Sequence, residues 1–273
     1  MDRKTTALTG VLALAIVVST VGVPALVAAR PAYEIPVHYA TTADTLDEAT
    51  GEGWAQSPAV GVPLSSSGAA VPNGGSTSIE EVQVEAARTD ERLYLRLTWR
   101  DATQDVATDE VREFADSVAV QVPVNESARP PITMGSVDNP VNVWYWTGLN
   151  RSEELLAGGP GTTTRFADQH LRTNATYADD RWRVVVSRPL ETDAANRTTI
   201  SASQDVDVAL AVWNGSNMER SGRKATSEWY YLALGPGPQG PPYETILWGI
   251  AGLAIIFTTL VTIEGVRRTR GED

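Results

Sequence analysis

Residues 82–103 read VQVEAARTDERLYLRLTWRDAT. Val82, Val84 and Ala86 alternate with polar or charged neighbours, and beyond Thr89-Asp90-Glu91 the set Leu93, Leu95, Leu97 and Trp99 alternates with Tyr94, Arg96 and Thr98. Period two, interrupted once by a short polar turn, is the signature of a half-buried β-hairpin. Outward from that hairpin the same vocabulary recurs at 117–122, 141–146, 181–187 (with Trp182, Val184 and Val186 on one face), 206–213 and 228–234. Only 108–115 and 151–157 read as brief helices. Short strands separated by turns, with no repeat of solenoid or propeller length, predict a mainly β fold, an antiparallel β-sandwich over 33–234. Residues 33–78 show no periodicity, carry Trp54 in their middle, and read as loop over 65–78.

The ends are of another kind. Thr5 to Ala29 has no charge, about 38 Å if helical, and Thr245 to Ile263 is a second uncharged run of about 28 Å. Arg3 and Lys4 precede the first; Arg267, Arg268 and Arg270 follow the second. The positive-inside bias then places a cytoplasmic tip (1–4) and tail (267–273) on one side of a cell membrane, transmembrane helices at 5–29 and 245–266, and the sandwich on the extracytoplasmic face. Val27-Ala28-Ala29 also fits a signal-peptide cleavage site, and with cleavage the middle is exported all the same. The stretch 235–244, opening GPGPQGPP, reads as a stiff stalk. Five of nine asparagines (Asn125, Asn150, Asn174, Asn196, Asn214) lie in glycosylation sequons, all between the apolar runs, which agrees with an exported glycoprotein.

Cysteine is absent. Disulfides, thiolate zinc, covalently attached haem and cysteine-held iron–sulfur clusters are therefore excluded from this chain. Between residues 32 and 243 there are 29 acidic and 16 basic side chains, fifteen of the latter arginine. So acidic a surface argues against nucleic acid and suits solubility in high salt. No nucleophile elbow, zinc-protease helix, P-loop or dinucleotide fingerprint is present, so the chain reads as non-catalytic. Asp101, Asp105 and Asp109 lack the frame of an EF-hand and read as a solvated acidic face.

Two loops each present one soft or titratable ligand: Met134 in PITMGSVDNPVNVWYW (131–146) and Lys224 in SGRKATSEWY (221–230). Lys224 is the only lysine apart from Lys4, in a chain that otherwise uses arginine. A lysine can ligate a metal only as the neutral amine, and arginine, which does not deprotonate in proteins, cannot replace it. A methionine near prolines is also an ordinary core filler, Met218 is a second methionine in a polar loop, and His38 and His170 are further potential ligands in irregular or charged stretches. Trp144, Tyr145, Trp146, Trp213, Trp229 and Tyr230 flank the two loops and can line a pocket or simply be core; Arg220 and Arg223 can pair with carboxylates.

Those two blocks, together with the hairpin, resemble the haem b-binding gamma subunits of type II dimethyl-sulfoxide-reductase-family molybdoenzymes, such as ethylbenzene dehydrogenase and dimethyl sulfide dehydrogenase. The likeness covers most of 79–234 and only loosely 33–78. It implies a β-sandwich holding one non-covalent haem b, with Met134 and Lys224 as axial iron ligands. It implies as partners a molybdopterin catalytic subunit and an iron–sulfur subunit, with electrons relayed to or from a membrane cytochrome or quinone-linked protein. The well-known members of that family are soluble, whereas this chain carries an apolar run at each end. The competing reading is a carbohydrate-binding-module-like or purely structural cell-surface sandwich without a redox cofactor.

Overall fold

The computed structural model describes residues 32–125, 129–234 and 243–270. The chain divides into two units, 1–234 and 235–273. The first apolar run (5–29), the proline-rich stretch 235–242 and the tail from 271 lie outside the described residues.

Within the first unit the described residues form fourteen strands: β1 (Glu34–Tyr39), β2 (Val60–Pro63), β3 (Ser65–Ser66), β4 (Glu81–Arg88), β5 (Arg92–Arg100), β6 (Ser117–Pro123), β7 (Val141–Thr147), β8 (Arg151–Ala157), β9 (Thr164–Arg165), β10 (Arg172–Tyr177), β11 (Arg181–Pro189), β12 (Val206–Trp213), β13 (Ala225–Thr226) and β14 (Tyr230–Ala233). They make one curled sheet in the order β10-β11-β5-β4-β1-β14-β12-β6-β7-β8-β9, with β2 on β4, and β13 joining β12 to β3. Its two halves face each other across a core of Val84, Leu95, Leu97, Val118, Val120, Val184, Val186, Val208, Leu210 and Val212, among others. Each such side chain removed from water contributes about 1.5–3 kcal/mol. Trp99 of β5 and Trp182 of β11 stack at 6.3 Å, and Trp146 of β7 meets Trp182 edge-on at 5.0 Å, so indoles from both halves lock the middle.

The expected antiparallel sandwich needs three corrections. The sheet is mixed: β1 runs parallel to β14 through Glu34–Pro36 and parallel to β4 through Val37–Tyr39, passing from one half to the other. The segment 151–157 is not helical; it is β8, paired with β7 along its full length. Nor is 108–115 a helix; it is turn and irregular backbone.

The hairpin forms where its alternation predicts, with Thr89 N–H donating to the Arg92 carbonyl across the turn. It is not half-exposed. Its outer face carries Ala87 and Tyr94 against Leu46, Ala49 and Trp54, so the segment that lacks periodicity serves as a lid. On that face Arg96 donates to both carboxylate oxygens of Glu85, at 2.7 and 2.6 Å, and its guanidinium lies 5.1 Å from the Trp54 ring.

The described residues of the second unit form a 28-residue helix, α1 (Tyr243–Arg270), which contains the second apolar run. Among the described residues no helix is long and apolar enough to cross a membrane, and several side chains of α1 lie outside that description.

Candidate metal centre

The half of the sheet built from β12, β6, β7 and β8 has two apolar faces. Alternation sends Val206, Val208, Leu210 and Val212 inward, and leaves Ala209, Ala211 and Trp213 outward beside Ala119 of β6 and Val143 and Tyr145 of β7. Three of these outward side chains are methyl groups, so the outer face has a low floor. Two loops close over it, and they carry Met134 and Lys224.

The first loop is fixed by its backbone. Gln121 Nε2 donates to the Ile132 carbonyl at 2.8 Å, Trp229 Nε1 to the Pro130 carbonyl at 3.2 Å, and Gly159 N–H to the Met134 carbonyl at 2.9 Å. Met134 and Gly135 follow one another in the left-handed region, with φ of 68° and 71°. A side chain on Gly135 would put its Cβ 2.7 Å from the Asn139 carbonyl oxygen, which only glycine avoids. For Met134 the same conformation is uncommon in a non-glycine residue; here the pinned loop imposes it and turns the thioether onto the alanine floor.

The second loop runs from Trp213 to β13. Trp213 Nε1 donates to the Ser221 carbonyl at 3.1 Å, Ser67 Oγ to the Gly222 carbonyl at 2.5 Å, and Ser67 N–H to the Lys224 carbonyl at 3.0 Å. These bonds bring the Lys224 ammonium to 3.8 Å from the Met134 sulfur and 5.0 Å from the Trp213 ring centre. Burial alone pushes the Lys224 pKa below the ordinary lysine value. Among the described residues no carboxylate lies within 4.0 Å of it.

Ninety positions apart in sequence, the two expected ligand residues are thus neighbours, and the other candidates are elsewhere. His38 is on β1. His170 lines a surface cavity with Arg92, Arg172 and Arg197. Met218 is exposed. Of the flanking aromatics, Tyr145, Trp213 and Trp229 line the Met134 face, whereas Trp144 and Trp146 belong to the core between the halves. Arg223 is committed to the Ser76 carbonyl and to Asn217, and Arg220 stacks on Phe114 at 4.6 Å. Among the sequons, Asn214 is buried, with its side chain bonded to Asp101, Ser216 and Asn217, and is closed to modification in the folded chain.

Comparison with known proteins gives a consistent set. The ethylbenzene dehydrogenase family model matches residues 52–169 and 162–225, so the likeness starts well before the hairpin. The chain is 54% identical over 271 residues, 99% of its own length and 98% of the other, to a Haloferax mediterranei protein named as a respiratory nitrate reductase heme subunit, ORF7. It is 36% identical to the chlorate reductase gamma subunit of Ideonella dechloratans over 58% of this chain and 66% of that one. It is 32% identical to the dimethylsulfide dehydrogenase gamma subunit of Rhodovulum sulfidophilum over 60% and 64%. Among solved structures it is similar to a family 9 carbohydrate-binding module from Caldicellulosiruptor kristjanssonii, 13% identical with a TM-score of 0.46 over 77% of this chain and all of that one; a likeness of that size carries no argument.

Proposed function

Because the chain belongs to the ethylbenzene dehydrogenase family of gamma subunits, we propose that it is the haem b-carrying, non-catalytic electron-transfer subunit of an exported molybdoenzyme complex, with Met134 and Lys224 as the residues that would hold the haem iron. The observation that carries this reading is the 3.8 Å approach of a thioether and a partly desolvated amine over a floor of small side chains. The donor set suits the group: a neutral sulfur favours reduced iron, and an amine held out of water with no acidic partner gives up its proton at least cost. When bound, the haem would take up and release one electron. The residues of the chain do the rest. The pinned Pro130–Gly135 backbone aims the sulfur, the Ser67 and Trp213 bonds aim the amine, and Trp213 and Tyr145 wall the face from water. With a sulfur and an amine both engaged in holding it, the haem would offer no site for substrate, which agrees with a carrier and not an enzyme.

The partners in this proposal are a molybdopterin catalytic subunit and an iron–sulfur subunit. A reductase of nitrate or a related oxyanion is favoured, since relatives in this set are named as subunits of nitrate and chlorate reductases. The nineteen uncharged residues at 245–263 within α1, followed by Arg267, Arg268 and Arg270, together with the run at 5–29, support an anchor in the cell membrane that holds the sheet on the extracytoplasmic face, near a quinone-linked or cytochrome partner.

The test is spectroscopic. The full chain, purified with haem, should show a six-coordinate low-spin spectrum that sharpens on reduction. Lys224→Arg should abolish the low-spin form while the fold persists, because the guanidinium cannot deprotonate, and Met134→Ala should convert the spectrum to a high-spin type. A low-spin spectrum unchanged in both variants would overturn the assignment.

A further inference from the structure

Three aspartates meet at the other end of the Lys224 loop. Asp101 follows β5, Asp116 precedes β6, and Asp105 lies in the connection between these two strands, which belong to opposite halves of the sheet. One carboxylate oxygen from each lies within 4.8 Å of the others. Asp101 is 3% exposed and Asp116 is fully buried; Asp105 is half-buried and opens the group to solvent. The expected solvated acidic face therefore needs correction: of its three members only Asp109 is exposed.

The oxygens are unequally satisfied. Asp116 accepts from Gly215 N–H (2.8 Å), Asp105 N–H (2.8 Å) and Trp182 Nε1 (2.9 Å). Asp105 accepts from Thr103 Oγ1 (2.7 Å) and Ser216 N–H (3.1 Å), and Asp101 Oδ1 from Thr103 N–H (3.2 Å) and Asn214 Nδ2 (3.3 Å). Asp101 Oδ2 is buried and has no donor. Among the described residues no Arg, Lys or His lies within 4.0 Å of any of the three. Three gathered carboxylates, two of them buried, without a cationic side chain and with one oxygen left bare, make an incomplete arrangement.

We propose that Asp101, Asp105 and Asp116 bind a hard divalent cation, calcium being the best match, and that this cation fastens the root of the Lys224 loop to the junction between the two halves of the sheet. Calcium takes oxygen ligands at about 2.3–2.6 Å, so two oxygens on one ion stand up to about 5 Å apart, the spread found here. Asp101 Oδ2 supplies the bare donor, and the half-open side at Asp105 leaves room for water in the remaining positions. The fastening follows from the loop contacts: Asn214, Gly215 and Ser216, three consecutive residues, each donate to a different aspartate of the group. There is no slack in that seam, since a Cβ on Gly215 would lie 1.9 Å from the Phe114 carbonyl oxygen.

The proposal does not depend on the haem assignment, and its test needs no haem. Full-length protein in detergent, stripped with chelator, is melted with and without millimolar calcium. Calcium at about a hundred times its dissociation constant should raise the melting temperature by roughly 5–10 °C, and manganese should bind with loss of its free six-line electron paramagnetic resonance signal. Asp101→Asn should remove both effects. Should that variant fail to fold, Asp105→Asn on the rim should still fold and weaken calcium binding at least about tenfold. An unchanged melting temperature with calcium, magnesium and manganese alike would mean that protons alone hold the carboxylates together, and would overturn the proposal. So would a calcium shift that survives in Asp101→Asn.

Discussion

Arg188 and Lys224 are both cations drawn out of water, and they meet opposite company. Arg188 of β11 lies fully buried, 3.1 Å from Glu154 of β8 on the other half of the sheet, and Glu154 takes Arg197 at 3.2 Å as well. Burial pulls the Arg188 pKa down to about 10, and Glu154 opposes that fall, so the guanidinium keeps its charge at neutral pH. Lys224 has a sulfur and an indole face beside it, and only desolvation acts on it. The same removal from water thus yields a fixed ion pair where a carboxylate is supplied, and an amine with a lowered pKa where one is withheld. Partner chemistry, more than depth, separates the paired guanidinium from the unpaired amine.

That contrast can be broken from the brace side first. Glu154→Gln leaves two buried guanidiniums without a counter-ion and should cost about 3–5 kcal/mol in urea unfolding, with Arg188→Met in the same chain recovering part of the loss. Gly135→Ala acts on the Met134 side. It forces a Cβ against the Asn139 carbonyl at positive φ and should cost about 1–3 kcal/mol; under the proposed ligation it should also shift the haem spectrum, because Met134 moves with its neighbour. The smallest effect is electrostatic. Folding lowers the Lys224 pKa, so between that lowered value and the ordinary lysine value near 10.5 the unfolded chain binds more protons than the folded one. Stability of the haem-free protein should therefore rise with pH across that window, and pH-dependent unfolding of Lys224→Met should lack the rise.

The strands legible in the sequence were those whose pattern is local. Residues 206–213 alternate without interruption and form β12 over that span. By contrast 151–157, RSEELLA, is composed of good helix formers and is a strand because β7 offers it a full ladder of partners, which no local reading can weigh. Strand β1 was invisible for a related reason: its six residues are divided between two distant partners. The Met134 and Lys224 pair was legible through family resemblance, since nothing in the spacing of two residues ninety positions apart says that they touch. The aspartates read as solvated because their burial comes from Trp182 and the 214–216 loop, far along the chain.

The placement of β1 has a mechanical consequence. The first and last strands among the described residues, β1 and β14, lie side by side and parallel, with Glu34 beside Tyr231 and Pro36 beside Ala233. Tension applied backward on Glu34 and forward on Ala233 would slide the two strands lengthwise, loading their ladder in shear so that its bonds yield together instead of unzipping one at a time.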